Sequence, residues 1–521
     1  MAEIYHFSFL FTLIGLVGWF FVKHSSKLST VLQMVFFVAL SSYMFSVISA
    51  EVSMDYKLSI LFRDLLIISG LAAGFSMLRN NRTAFILMIL GSAVAYQMYF
   101  KAQLVQTFAT PPLSEKVTIP TIDKNASEGL DQNGELLLEI AEGQNLDVLK
   151  NLVEQYNLEL KPAFTMQDEA ATELDDYYTV NIPKAFEGKR AEIVTALRSL
   201  TATVDYVEEN ETITVSPIKA EPSRRSPRDY KINDPEIDKQ WSFKETGVAD
   251  FYHLLRSKKI KVKKKAHIFI LDTGVDGSHE DLAGNYESLK SKYDKDGIGH
   301  GTHCAGIAAA VSNNGIGVAS LAMDNSFVKV TSIKVLNNYG GGTQRMIING
   351  ILEAADNGAD VISMSLGGVS RDPKQKAYSD AVAYANKKGA IVVVAAGNNN
   401  GDAKFIAPAN AKGVITVAAV DTLLGKASFS NYINNIERGI AAPGVNIYST
   451  IPGNQYTAFN GTSMATPYVA GLLGIMKSLQ PDLTTEAAYN ILNLTGKATK
   501  DVKVTGKVIQ PASAVGLLLE N

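Results

Sequence analysis

Four apolar runs, residues 5–22, 28–50, 58–78 and 83–100, fill 80 of the first 100 positions. Each is close to the roughly 20 residues that a helix needs to cross a hydrocarbon core. A secretory leader would carry one short apolar core, so the repetition predicts four transmembrane helices over residues 1–100. The distribution of residue types agrees: of 22 Phe, 12 lie there, against 10 of the 101 charged residues. Lys23, Lys27, Arg79 and Arg82 mark the first and third connections. Positive loops stay on the cytoplasmic side, which places both ends of the bundle outside, although Lys101 and Lys116 pull the other way. Arg63 and Asp64 fall inside the third run, near one end, where mutual pairing or snorkelling accounts for them.

The whole-chain averages hide this division. A hydrophobic fraction of 46% and a net charge of −3 exclude a disordered chain, a collagen-like chain and a basic nucleic-acid coat. No nucleic-acid partner is expected, and the lipid bilayer is. One Cys in 521 residues excludes an internal disulfide framework.

Residues 101–132 are polar, contain Pro111, Pro112 and Pro120, and read as a linker. Over 133–215 the periodicity alternates in the order βαββαβ, with strands at 135–141, 158–164, 177–182 and 204–208 and helices at 145–156 and 189–200. That order describes a small ferredoxin-like module. A second exposed linker, 216–233, carries Pro217, Pro222, Pro227 and the pair Arg224-Arg225. From 234 to 521, β-branched runs at 268–271, 329–335, 360–364 and 391–395 alternate with helical patterns at 344–357, 375–388 and 463–479. This predicts an α/β domain, a doubly wound parallel sheet.

In such a sheet, reactive groups collect at the carboxyl ends of strands and at helix starts. Asp272 ends a strand (ILDTGVDG), His300 opens a small-residue helix (GIGHGTHCAG), and Ser463 opens another (FNGTSMATP). A hydroxyl, an imidazole and a carboxylate are what nucleophilic acyl transfer requires. Asn398 (VAAGNNN), just past a strand, is placed to hold an oxyanion.

These motifs, with SFSNY, resemble the subtilisin-family serine proteases, in wording closest to the proteinase K-like branch, over residues 234–521. The resemblance implies that Ser463 attacks the scissile carbonyl, His300 carries the proton and Asp272 orients His300. Asn398 and the Ser463 N–H would hold the oxyanion, and His303 would be structural. Gly340, Gly341 and Gly342, with Ser365, Leu366, Gly367 and Gly368, match the two segments that clasp an extended polypeptide substrate; ordinary turn glycines are the alternative. Leu366, Ala395, Ala396 and Gly397 would line the pocket for the residue before the cut, and none is acidic, so an apolar preference is expected. The resemblance also implies structural Ca²⁺, held by Asp281, the Asn314 side chain, the carbonyls of Val311, Ile316 and Val318, and Gln240; a capped turn without metal is the alternative. A second family site lacks its Asp, with Gly439 in that place. Cys304 reads as a small buried residue or as a thiol near the triad. The 133–215 module would be the propeptide that inhibits its own enzyme, its last strand running into the cleft. The reading is a membrane-anchored zymogen of a serine endopeptidase with its catalytic domain outside the cytoplasm. The alternative is a membrane sensor, transporter or assembly factor that uses the protease domain as a binding platform.

Overall fold

The computed structural model describes residues 2–22, 27–48, 54–78, 81–95, 129–221, 230–258, 260–370 and 375–520. It divides into two compact units, Met1–Thr118 and Ile119–Asn521.

The first unit holds helices α1 (Ala2–Phe21), α2 (Lys27–Ile48), α3 (Met54–Leu78) and α4 (Arg82–Ala95). Small residues let α1 approach α2 closely: a Cβ on Gly15 would lie 2.9 Å from the Phe36 backbone. The interior is apolar (Phe9, Leu16, Phe36, Val47, Ile68) but encloses Asp64, which accepts from Tyr43 Oη at 3.1 Å and Arg63 Nε at 2.7 Å. Of the four spans expected, two meet the length and hydropathy of a crossing helix among the described residues, Lys27–Ile48 and Leu61–Leu78. The Phe7–Phe21 stretch is apolar but shorter. The described part of α4 is 14 residues, and positions 96–100 of the expected fourth run lie outside the described residues.

The second unit begins with β1 (Leu136–Ile140), α5 (Lys150–Tyr156), β2 (Glu159–Pro162), β3 (Tyr177–Asn181), α6 (Arg190–Ser199) and β4 (Val204–Glu209). The strands form an antiparallel sheet in the order β2-β3-β1-β4. Alternation along β1 explains its two-sided burial. Leu136, Leu138 and Ile140 face α5 and α6 with Ile193 and Leu197, whereas Leu137 joins Tyr177 and Phe164 on the opposite face. That opposite face packs on two helices of the domain that follows, α8 (Gln344–Asp356) and α9 (Lys376–Lys387), through Ile347, Ile351, Tyr378 and Ala381. Leu130, within the expected linker, is already buried and bridges to Glu211; residues 101–128 lie outside the described residues.

After β4 the chain extends as β5 (Thr212–Thr214) and β6 (Ile218–Ala220). The large domain is built on β7 (Ala266–Asp272), β8 (Val328–Lys334), β10 (Val361–Met364), β11 (Ile391–Ala395), β12 (Ile415–Val420) and β13 (Gly439–Pro443), with β9 (Gly341–Thr343) outside that sheet. Their order is β13-β12-β11-β10-β7-β8, all parallel. Lys507–Val508 extends the β13 edge in parallel, and Lys497–Ala498 closes it antiparallel. Both faces are covered, and successive residues alternate between the two cores. Ile268 and Ile270 pack with α7 (His300–Ala309) and α10 (Thr462–Leu479), and Phe269 and Leu271 with α8 and α9. This two-sided burial is why the strands read as unbroken apolar runs. It carries the carboxyl end of β7 and the starts of α7 and α10 to one end of the sheet.

Candidate active site

Asp272, the last residue of β7, is wholly buried. Its carboxylate accepts from Thr273 N at 2.7 Å and from His300 Nδ1 at 2.8 Å (Oδ1) and 2.9 Å (Oδ2). The proton on Nδ1 leaves Nε2 as the basic nitrogen. Burial pulls the imidazole pKa down, but the Asp272 carboxylate outweighs it, so His300 is held above its ordinary value. His303, one turn on, meets the Thr457 carbonyl through Nε2 at 3.2 Å, and burial lowers its pKa to about 3, so it stays neutral.

The position of α7 depends on a residue the sequence reading passed over. Asp296 accepts from Ile298 N (3.2 Å), Gly299 N (2.9 Å) and Thr273 Oγ1 (2.9 Å) through one oxygen. Through the other it accepts from Thr302 N (2.9 Å) and Thr302 Oγ1 (2.8 Å). It satisfies the open donors of the α7 start and ties that helix to the end of β7. The spacing of an acid a few residues ahead of a helix start was the available signal. Gly301 makes the contact possible, since a Cβ there would lie 2.1 Å from the Gly274 carbonyl oxygen and 3.1 Å from Asp272 Cβ.

Ser463 is the second residue of α10 and is 8% exposed. Its Oγ donates to the Ser365 carbonyl at 3.0 Å, and Ser365 Oγ donates to the Ser463 carbonyl at 2.8 Å. Asn398 is exposed, and its Oδ1 accepts from Thr462 N and Thr462 Oγ1, both at 2.9 Å. With the oxygen tied down, the two N–H bonds of Nδ2 are the free end of the amide. Cys304 is wholly buried and donates to the Ser463 carbonyl at 3.5 Å, and burial raises its thiol well above the ordinary value, which fits a packing residue.

Gly340, Gly341 and Gly342 lie along one wall of a groove, and Gly367 and Gly368 follow Ser365 and the buried Leu366 on the other. The groove holds the chain's own β5, which pairs antiparallel with β9 (Ile213 opposite Gly342), while Val215 N donates to the Gly340 carbonyl at 2.9 Å. A Cβ on Gly340 would lie 2.1 Å from the Val215 carbonyl oxygen, and one on Gly368 3.2 Å from Ile213 Cγ1. Ala395 and Ala396 are buried, with Gly397 partly exposed beyond them.

The subtilase family model matches residues 263–507. Thermitase of Thermoactinomyces vulgaris is 46% identical over 218 residues, which are 41% of this chain and 75% of thermitase. The chain belongs to the subtilase family. Subtilisin DY of Bacillus licheniformis is 42% identical over 245 residues, 46% of this chain and 86% of that protein. A solved protease structure from Pseudoalteromonas arctica PAMC 21717 aligns over 55% of this chain and 99% of its own at 29% identity, with a TM-score of 0.48. Like thermitase and subtilisin DY, this subtilase is a subtilisin-like serine peptidase, and its candidate site residues come from six different segments of the large domain.

A second cluster in this subtilase has the chemistry of a cation site. Asp281 is buried and accepts from Val318 N (2.7 Å) and Asn314 Nδ2 (2.9 Å). Burial, with Asp234 adding repulsion, raises its carboxyl to about 7. The carbonyl oxygens of Val311, Ile316 and Val318 accept no hydrogen bond among the described residues. Asn314 Oδ1 accepts from Ile316 N at 2.8 Å, and the Gln240 amide engages Ala319 at both ends, with its oxygen accepting at 2.9 Å. A buried carboxylate with unengaged carbonyls beside it is a hard-oxygen donor set, and it fits Ca²⁺.

Proposed function

We propose that this subtilase is a membrane-anchored serine endopeptidase made as a self-processing zymogen, with its catalytic domain outside the cytoplasm. The observation that carries the chemistry is the buried His300–Asp272 pair beside a helix that starts at Thr462, with Ser463 in its first turn. Ser463 Oγ attacks the scissile carbonyl, and His300 Nε2 takes the proton and returns it to the departing amine. Asp272 holds the tautomer and steadies the imidazolium. Asn398 Nδ2 and the Ser463 N–H receive the oxyanion. Acyl-enzyme hydrolysis repeats the sequence with water in place of the amine.

Polypeptide substrates would lie as β5 does, between Gly340, Gly341 and Gly342 on one side and Ser365, Gly367 and Gly368 on the other. Leu366, Ala395, Ala396 and Gly397 give the pocket before the cut an apolar lining. The 133–215 module is read as the inhibitory propeptide. Glu208 accepts from Ala377 N at 3.2 Å and Gln344 Nε2 at 3.1 Å, and Asn210 Oδ1 accepts from Arg345 N at 3.1 Å, so the module caps the starts of α8 and α9. Ca²⁺ at Asp281, Asn314, Val311, Ile316, Val318 and Gln240 would be structural, and the HGTHC wording is what supports a proteinase K-like branch within the family. Outward-facing Phe37, Phe45 and Phe62 support lipid around the first unit, because water would penalise such a surface.

The test is labelling by a serine-directed fluorophosphonate. Wild-type protein is expected to label at Ser463 and Ser463→Ala is not; an unlabelled wild type after removal of the module would refute the reading. A second reading makes the bundle the working element, favoured by the buried Asp64 with Tyr43 and Arg63, and would leave the cellular phenotype intact in Ser463→Ala.

A further inference from the structure

The segment that follows β4 runs the full length of the groove and past its end. On one side β5 pairs with β9, and the pairing ends with the Val215 N–H on the Gly340 carbonyl. On the other, β6 pairs antiparallel with Gln455–Asn460, with Ile218 opposite Asn460, Lys219 opposite Phe459 and Ala220 opposite Ala458. Asn460 stands three positions ahead of Ser463. Between the two paired stretches only Ser216 and Pro217 remain, so the Ser216–Pro217 bond is the centre of the span between the two pairings. Burial alternates along the segment as in any bound strand, with Ile213 and Val215 inside and Thr212, Thr214 and Ser216 exposed.

We propose that Pro217 makes residues 212–220, paired on both sides of it, a span that the enzyme holds without cutting. The inference rests on the serine-protease reading above. Cleavage at Ser216–Pro217 would form an ester between Ser463 Oγ and the Ser216 carbonyl carbon and expel the Pro217 nitrogen, which must receive a proton from His300. That nitrogen carries the ring Cδ where other residues carry hydrogen, so ring carbon crowds the approach of the proton donor, and the fixed φ limits any turning away. Attack one bond later, at the Pro217 carbonyl, places a residue without an N–H where the enzyme clasps backbone. Attack one bond earlier shifts the register and strips the Val215 N–H from Gly340. Pro217 stands just before the first residue of β6, where its missing N–H removes no ladder bond. The pairing on both sides then keeps the intact span in place, and the cut that frees the cleft lies outside 215–218.

Three full-length proteins in detergent test this: wild type, Pro217→Ala, and Pro217→Ala with Ser463→Ala. Each is read by N-terminal sequencing of its fragments and by hydrolysis of an added chromogenic peptide. The expected result is no fragment of the wild type beginning at 216, 217 or 218. Pro217→Ala alone should yield a fragment beginning at 217, and the double variant should not. A wild-type fragment beginning at 216, 217 or 218 overturns the proposal. So does a Pro217→Ala protein that hydrolyses the added peptide yet stays intact at 217. Absence of Ser463-dependent hydrolysis and of fragments in every form overturns the protease reading, and this inference with it.

Discussion

Asn398 gives its amide oxygen to the start of α10, and under the proposed function its N–H bonds receive the oxyanion. Asn398→Ala is expected to lower kcat by about 100- to 1,000-fold, the usual cost of one oxyanion donor, with KM nearly unchanged. Steady-state kinetics on a chromogenic peptide checks it. His300 acts as a base only when neutral, and Asp272 holds its pKa above the ordinary value. The acid limb of kcat/KM should therefore lie above the usual imidazole range of about 6.5 and rise with pH. Asp272→Asn removes the carboxylate, leaves burial to pull the limb down, and should reduce kcat by about 10,000-fold through the lost tautomer. At Asp281 the sign is set by a carboxyl raised to about 7. Its protonated form stabilises the fold below the unfolded value near 4, and that contribution is lost as pH rises through about 7. Ca²⁺ should therefore raise Tm more at pH 8 than at pH 5, and Asp281→Asn should flatten the difference; calorimetry with Ca²⁺ and with chelator decides it.

Elements are legible in the sequence where the period is unbroken and local. The strand runs ending at Asp272 and at Ala395, and the helices opening at His300 and Ser463, follow from β-branched runs and small-residue patterns, and the structure has them within a few residues. Strands β12 and β13 are not legible in the sequence, because ITVAAV and GIAAP are short and Ala-rich and owe their extended form to neighbours in the sheet. Of the four expected spans, two stand as helices of crossing length and hydropathy among the described residues. At this scale Gly301→Ala is diagnostic. A methyl 2.1 Å from the Gly274 oxygen forces α7 off the end of β7, at a cost of about 1–3 kcal/mol or more, and urea unfolding together with kcat should both register it. Glu208→Ala uncaps α9 at Ala377 N and removes the bond from Gln344 Nε2 of α8. Lost caps cost about 0.5–2 kcal/mol, which should speed fluorophosphonate labelling of the unprocessed chain by about 2- to 30-fold.

At the scale of the whole chain, the module and the peptidase domain share one apolar core, so release of the module exposes Leu137, Phe164 and Tyr177 together with Ile347 and Tyr378. Dye binding on processing should report that exposure. The first unit should remain in the pellet after alkaline washing of membranes, whereas a processed catalytic domain should appear in the wash. The sequence by itself determined the chemistry, because the identities around Asp272, His300, Asn398 and Ser463 are local strings tied to strand ends and helix starts. It also determined the division into an apolar front and a globular remainder, because solvent preference is additive along a chain. Only the tertiary structure decided what lies in the groove. Strand pairing across more than 100 residues, from Ile213 to Gly342 and from Ile218 to Asn460, depends on register between distant segments, and hydrophobic periodicity carries no information about the partner's register. The same holds for Asp296 and for the unengaged carbonyls beside Asp281, whose roles come from which backbone groups folding leaves without a partner.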